Sequence, residues 1–343
     1  MRLEAEKFAI RLRRPFRIAH GSSDIRETIL VHLHGETEGL IAHGEGALPP
    51  YYPSTSEASL AWLEDVAQVE DAVQWEAACD AQGPPGAAAG RVALEIALQD
   101  LKAQRAGRPL WRLWNFDPAR IPPCWRTLSI PQNEKELQEM LDEGIFFGSK
   151  HIKLKTGSGD LGWDENCMRL ASARPALLGL DANEGWTPED AEKILSRPAC
   201  QGIAFVEQPV SREFSCWDEL RSRVHGMKIP PLIADESLQT EGNLTALKGR
   251  ADGVNVKLLK AGGLRAARRW IAIARDLGMG VMVGTMVETG IGRTAAAQLA
   301  PLADWLDIDS PDSIPLAPLA GFRMERDHLV LADRPGLGLR QAL

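Results

Sequence analysis

Three hundred and forty-three residues exceed the ~250–300 that a single hydrophobic core organises, so one large domain with a smaller companion is expected. Hydrophobic residues at 44% and charged residues at 25% make a globular balance that excludes a disordered or fibrous chain. With 39 basic against 47 acidic side chains, a net charge of −8 and no basic block, no nucleic-acid partner is expected.

In chain order, the first 16 residues scatter charge and hold no signal-peptide core. No apolar run approaches the ~20 residues of a membrane span. A cytoplasmic protein is expected. Leu3–Leu12, Thr28–Leu33 and Leu40–Glu45 predict strands, the first two by partial alternation of apolar residues. A Gly/Pro/Ala stretch at 82–90 precedes an amphipathic helix over 91–106, with Val92, Ile96, Leu98 and Leu101 among its apolar positions. Residues 1–120 read as a small α+β unit. Short apolar runs then recur at 125–130, 151–155, 177–182, 203–207, 230–235, 252–257, 280–284 and 304–308, with helix-like segments such as 264–278 between them. Eight strands alternating with helices predict a βα barrel over 121–320. An open doubly wound sheet is the alternative, weakened because no GxGxxG follows the first strand. HLVLA at 328–332 reads as a strand returning to the first unit, which 321–343 would complete. The five cysteines are widely spaced with no CxxC, so reduced thiols and no zinc motif are expected.

The chemistry lies at the strand ends, where βα barrels build their active sites. Lys155, Asp181, Glu207, Asp235 and Lys257 end successive runs, each about one strand plus one helix after the last. Side chains alternate faces along a strand, so Lys153 with Lys155, Asp181 with Asn183, and Asp307 with Asp309 each point one way. If Ile152 and Leu154 face the helices, the polar pairs face the barrel axis, where unpaired charge is costly. Asp181, Glu207 and Asp235, without His or Cys, make a hard-oxygen site suited to Mg²⁺ rather than zinc. Lys155 and Lys257 stand on opposite sides of an eight-strand ring, an arrangement that suits proton removal on one face and delivery on the other. A nearby cation, Lys153 or the metal, lowers a lysine's pKa and favours its use as a base.

HIKLKTG, LDANEGW, FVEQP, IADES, VNVKLLKAGG and VGTMVETG, with GEG at 44–46 and the helix at 93–107, together resemble the muconate-lactonizing-enzyme subgroup of the enolase superfamily. The resemblance spans nearly the whole chain. It implies a (β/α)7β modified TIM barrel with an α+β capping domain, Lys155 and Lys257 as an acid/base pair, and Mg²⁺ on Asp181, Glu207 and Asp235. Asp307-Ile-Asp309 resembles the DxD of dipeptide epimerases, whose carboxylates hold the substrate's ammonium group. The implied reaction inverts the α-carbon of a dipeptide's C-terminal residue by two-lysine proton transfer through an enediolate. The segment 16–26 resembles the family's mobile capping loop, in which Ser23 stands where relatives acting on Ala-Glu carry arginine. Asp24 beside it suits a cationic side chain, and Tyr51 offers aromatic surface. Thr127 and Ser129 are candidate substrate contacts, Glu288 is a candidate to orient a catalytic group, and Asn183 and Glu236 are candidates to orient the ligands. The alternatives are an N-acylamino-acid racemase, o-succinylbenzoate synthase or muconate cycloisomerase acting through the same intermediate, and a non-catalytic small-molecule-binding barrel. A small-molecule partner is expected, with neither nucleic acid nor membrane, and self-association is left open.

Overall fold

The computed structural model describes residues 1–35, 39–81, 83–146, 148–309 and 319–341. Strands β1 (Arg2–Ile18), β2 (Gly21–His34) and β3 (Ile41–Leu48) form an antiparallel sheet in that order. Three helices follow: α1 (Ser56–Ala67), α2 (Ala72–Asp80) and α3 (Ala88–Arg105). The contact between β3 and α3 is backbone to backbone. A Cβ at Gly44 would stand 1.8 Å from the Ala93 carbonyl oxygen, and one at Gly46 2.0 Å from that of Ala89. Alternation turns Glu45, between these glycines, to the opposite face. There its carboxylate accepts from Thr289 N and Gly292 N at 2.8 Å each, fastening the sheet to a helix start on the barrel.

β1 and β2 run on past a register shift between Arg11 and Phe16. Phe16 pairs with Ser23, Arg17 with Ser22 and Ile18 with Gly21, leaving Ala19 and His20 at the tip. The segment expected as a capping loop is therefore a two-stranded ribbon. Its apolar stripe of Ile10, Leu12, Phe16 and Ile18 is buried and packs with Phe8, Tyr51 and Val287.

Eight parallel strands close the barrel: β4 (Cys124–Leu128), β5 (His151–Lys155), β6 (Leu177–Asp181), β7 (Ile203–Glu207), β8 (Leu232–Ala234), β9 (Gly253–Val256), β10 (Gly280–Gly284) and β11 (Trp305–Asp309). A helix follows each of the first seven, and none follows β11 among the described residues. This is the (β/α)7β pattern. Ile152, Leu154, Leu178, Leu180, Val254 and Val256 belong to the main hydrophobic core, which the surrounding helices share. Inside the barrel, Trp125, Phe205, Ile233 and Met282 form a separate apolar plug. The Trp125 and Phe205 rings meet edge to face at 4.7 Å. Gly179 makes room for Phe205, since a Cβ there would lie 2.4 Å from the ring.

In the tail, His328–Leu331 is a strand paired with Phe322–Glu325. The tail meets the first unit at Ala332 O, which accepts from Trp111 Nε1 at 3.2 Å, at Leu337 N, which donates to Asp100 at 2.7 Å, and at Gly336 O, which accepts from Leu110 N at 2.8 Å. Asp327 closes the barrel base: its carbonyl accepts from Cys124 N at 2.7 Å and its carboxylate pairs with His151 Nδ1 at 2.6 Å.

Candidate active site

The plug positions define the site by period two. Two residues beyond Trp125, His151, Gly179, Phe205, Ile233, Gly253 and Trp305 stand Thr127, Lys153, Asp181, Glu207, Asp235, Asn255 and Asp307. All seven are buried, forming a polar ring on an apolar floor. Lys155, Asp181 and Glu207 are register partners on adjacent strands. One step higher, Asn183 turns the chain with φ at 42°, followed by Glu184 at 68°. This left-handed pair lets Asn183 Nδ2 donate to Glu236 Oε1 at 2.9 Å.

Burial of so much charge is tolerated because it is paired. Lys153 Nζ donates to Glu207 Oε2 at 2.8 Å and to Asp307, and lies 3.3 Å from Asp181 Oδ2. Lys155 Nζ donates to Asp181 at 2.5 Å. Lys257 and Lys260 donate to the two oxygens of Asp235 at 2.8 and 2.5 Å. Asn255 Nδ2 donates to Glu207 Oε1 at 2.7 Å, and Thr127 Oγ1 donates to Asp307 at 2.7 Å. Four ammonium groups thus face four carboxylates. Burial alone would neutralise Lys153, but Asp307, Glu207 and Asp181 outweigh it and hold the group charged. Burial would likewise raise Asp235, yet Lys257 and Lys260 pull it far below the usual carboxylate range. Glu207 goes the other way: burial and the nearby charges of Asp181 and Asp235 push it up to about 7.

Among the described residues, no three His, Cys, Asp or Glu side chains gather as a ready metal cage. The lysines stand between the carboxylates and take the cation's place. The set still fits a hard divalent cation. It offers oxygen donors alone, and the mutual repulsion felt at Glu207 marks a concentration of negative charge that a cation relieves.

Lys153, Lys155, Lys257, Thr127, Asp307 and Tyr51 line one cavity, and Asn183, expected to orient the ligands, lines it with them. Lys155 ends β5 and Lys257 directly follows β9, four strands apart around the ring of eight. Phe16, Ile18, Thr285, Met286 and Val287 complete the lining. Several expected contacts are not brought there. Asp24 is exposed, and Ser23 donates back to the Ile25 carbonyl at 2.5 Å. Glu288 lies behind the wall beside Glu45, where burial and that second carboxylate push it up to about 8. Ser129 is buried against Met140. Glu236, expected to orient ligands rather than to line the cavity, accepts from Asn183. The Asp309 side chain falls outside the described residues, although its backbone pairs with Arg126. The sequence reading passed over Asn255 and Lys260. Asn255 carried a signal, being two residues before Lys257 as Lys153 is before Lys155.

The ribbon tip is latched over this site. His20 Nε2 lies 3.3 Å from Glu184 and 3.8 Å from Glu236. Those carboxylates, Glu184 foremost, raise its imidazole to about 9. The His20 and Tyr51 rings are 5.3 Å apart.

A closed parallel barrel with lysines opposed across a ring of strand-end carboxylates, roofed by an antiparallel cap, defines the enolase-like class of enzymes. The chain belongs to the mandelate racemase / muconate lactonizing enzyme family: the family's N-terminal domain matches residues 4–114, and the enolase C-terminal domain-like model matches residues 132–341. It is 30% identical to the L-Ala-D/L-Glu epimerase of Bacteroides thetaiotaomicron, over 99% of this chain and 88% of that protein. The substrate-liganded L-Ala-D/L-Glu epimerase of Bacillus subtilis superposes with a TM-score of 0.89 at 26% identity, covering 100% of this chain and 99% of that one. The dipeptide epimerase of Enterococcus faecalis, complexed with Mg and L-Leu-L-Tyr, gives 0.87 at 29% identity and 98% coverage of both.

Proposed function

We propose that this protein is a Mg²⁺-dependent dipeptide epimerase that inverts the α-carbon of the C-terminal residue. The observation that carries the reading is the pair Lys155 and Lys257, set at the ends of opposite strands and facing one cavity that also holds Asp307. The relatives named above support it.

Asp181, Glu207 and Asp235 are the residues that would hold Mg²⁺, which when bound supplies positive charge to the substrate carboxylate. Asp307, fixed by Thr127 and Lys153, offers a carboxylate to the substrate's ammonium group. With both ends of the dipeptide anchored, the α-carbon lies between Lys155 and Lys257. One amine takes the α-proton and the other returns a proton to the opposite face, so inversion needs no rotation of the bound substrate. Lys153 and Asn255 hold Glu207 in place, and Lys260 holds Asp235. Residues 1–120 with 321–343 act as the cap and 121–320 as the barrel; the bonds from Asp100 to Leu337 and from Gly336 to Leu110 support that division. No helix among the described residues is long and apolar enough to cross a membrane. The free thiols at all five cysteines support a reducing compartment, the cytoplasm.

The test is a dipeptide library incubated in D₂O with enzyme and Mg²⁺, read by mass spectrometry and chiral chromatography. One deuteron gained per inverted C-terminal residue, abolished by EDTA and restored by Mg²⁺, is the expected result. Exchange confined to N-acylamino acids would replace the epimerase reading with a racemase.

A further inference from the structure

We infer that the inverted residue carries an apolar side chain, aliphatic or aromatic, and that Phe16, Ile18 and Tyr51 select it. The inference rests on the epimerase reading and names its substrate class.

Three of the four substituents on the reacting carbon are already assigned by the site. Its carboxylate goes to the Asp181–Glu207–Asp235 side, its amide nitrogen leads back toward Asp307, and its hydrogen faces Lys155 or Lys257. The remaining substituent points to the cavity's open end. That end is roofed by Phe16, Ile18 and Tyr51, with Met286 and Val287 beside them. Phe16, Ile18, Tyr51 and Val287 belong to an apolar cluster that includes Ile10 and Leu12, so a side chain entering the roof meets hydrocarbon and the neutral Tyr51 hydroxyl, with no ionic partner among them.

The charges around the roof are committed or lie outside it. His20 is held by Glu184 and Glu236. Asp24 is exposed and does not reach the cavity. Arg26 is 7% exposed but lines a separate recess with Lys7, Leu48 and Tyr52. A carboxylate or ammonium on the substrate side chain would be buried without a partner, which costs heavily.

The experiment measures kcat/KM with saturating Mg²⁺ for L-Ala-L-Leu, L-Ala-L-Phe, L-Ala-L-Glu and L-Ala-L-Lys, using the wild-type chain, Ile18→Arg and Ile18→Met. The wild type should favour Leu and Phe over Glu and Lys by about 100-fold, the scale on which a site discriminates when a polar group is left unpaired. Ile18→Met should keep that order, and Ile18→Arg should narrow or reverse the Leu-to-Glu ratio. A wild type that turns over Glu or Lys as well as Leu overturns the apolar assignment while leaving the epimerase reading intact, as does a Leu-to-Glu ratio unmoved by folded Ile18→Arg. The wild-type panel decides alone if Ile18→Arg does not fold. Absence of exchange with every dipeptide overturns both readings.

Discussion

Replacing Asp307 by Asn changes one oxygen to nitrogen and removes one negative charge at the cavity wall. The fold should tolerate it. Thr127 keeps an oxygen acceptor there, and Lys153 keeps Glu207 at 2.8 Å. The substrate's ammonium group, by contrast, loses its ionic partner on this wall. A hydrogen bond to a charged group contributes about 1.5–3 kcal/mol, equivalent to about 10- to 150-fold in kcat/KM. The loss should fall on free dipeptides and spare N-acetylated amino acids, which present no ammonium group. The assay follows solvent deuterium into L-Ala-L-Leu and N-acetyl-L-Leu under identical conditions, with circular dichroism confirming the fold. Equal losses on both substrates would refute an ammonium-binding role for Asp307 and leave it as a support for Lys153.

Lys155→Ala and Lys257→Ala should each abolish inversion, yet each should leave slow α-proton exchange for a single epimer, opposite between the two variants; NMR of LL and LD dipeptides in D₂O reads this, and exchange of the same epimer in both would sink the two-face model. Mg²⁺ should raise the melting temperature, and Asp181→Asn, Glu207→Gln or Asp235→Asn should each diminish the rise; an undiminished rise removes that residue from the ligand set. Because Glu184 and Glu236 hold His20 at about 9 against an ordinary 6.5, even with Arg212 bonded to Glu184, the ribbon latch is fully present below pH 6.5 and is lost as pH climbs through about 9. NMR titration of the His20 ring tests this, a midpoint near 6.5 counting against it. Gly179→Ala should lower the urea midpoint, since a Cβ 2.4 Å from the Phe205 ring overpacks the plug, a change that costs about 1–3 kcal/mol; an unchanged midpoint would mean that Phe205 moves freely.

The polar ring was legible because barrel strands are short and their inward residues fall two apart, so Lys153-Leu-Lys155 announces itself in the sequence. Lys260 was not, because it lies beyond the strand on the next helical turn, and its partner Asp235 is 25 residues away. The segment 16–26 was expected as a loop from the resemblance alone, but pairing between Arg17 and Ser22 and between Phe16 and Ser23 extends the strands almost to the tip. The cavity's apolar half was missed because Phe16 and Ile18 look like ordinary core residues until the ribbon is placed over the barrel. At the tail, Arg326 with φ at 62° turns the chain so that 328–331 folds back on 322–325.

The plug of Trp125, Phe205, Ile233 and Met282 has a consequence for traffic through the molecule. It makes the barrel a blind well, with rings packed edge to face below and Asp327 stapling the strand starts beneath them. Arrival and departure then share one doorway, and the ribbon stands in it. A molecule bound in the well therefore leaves by the way it entered, past His20 at the ribbon tip.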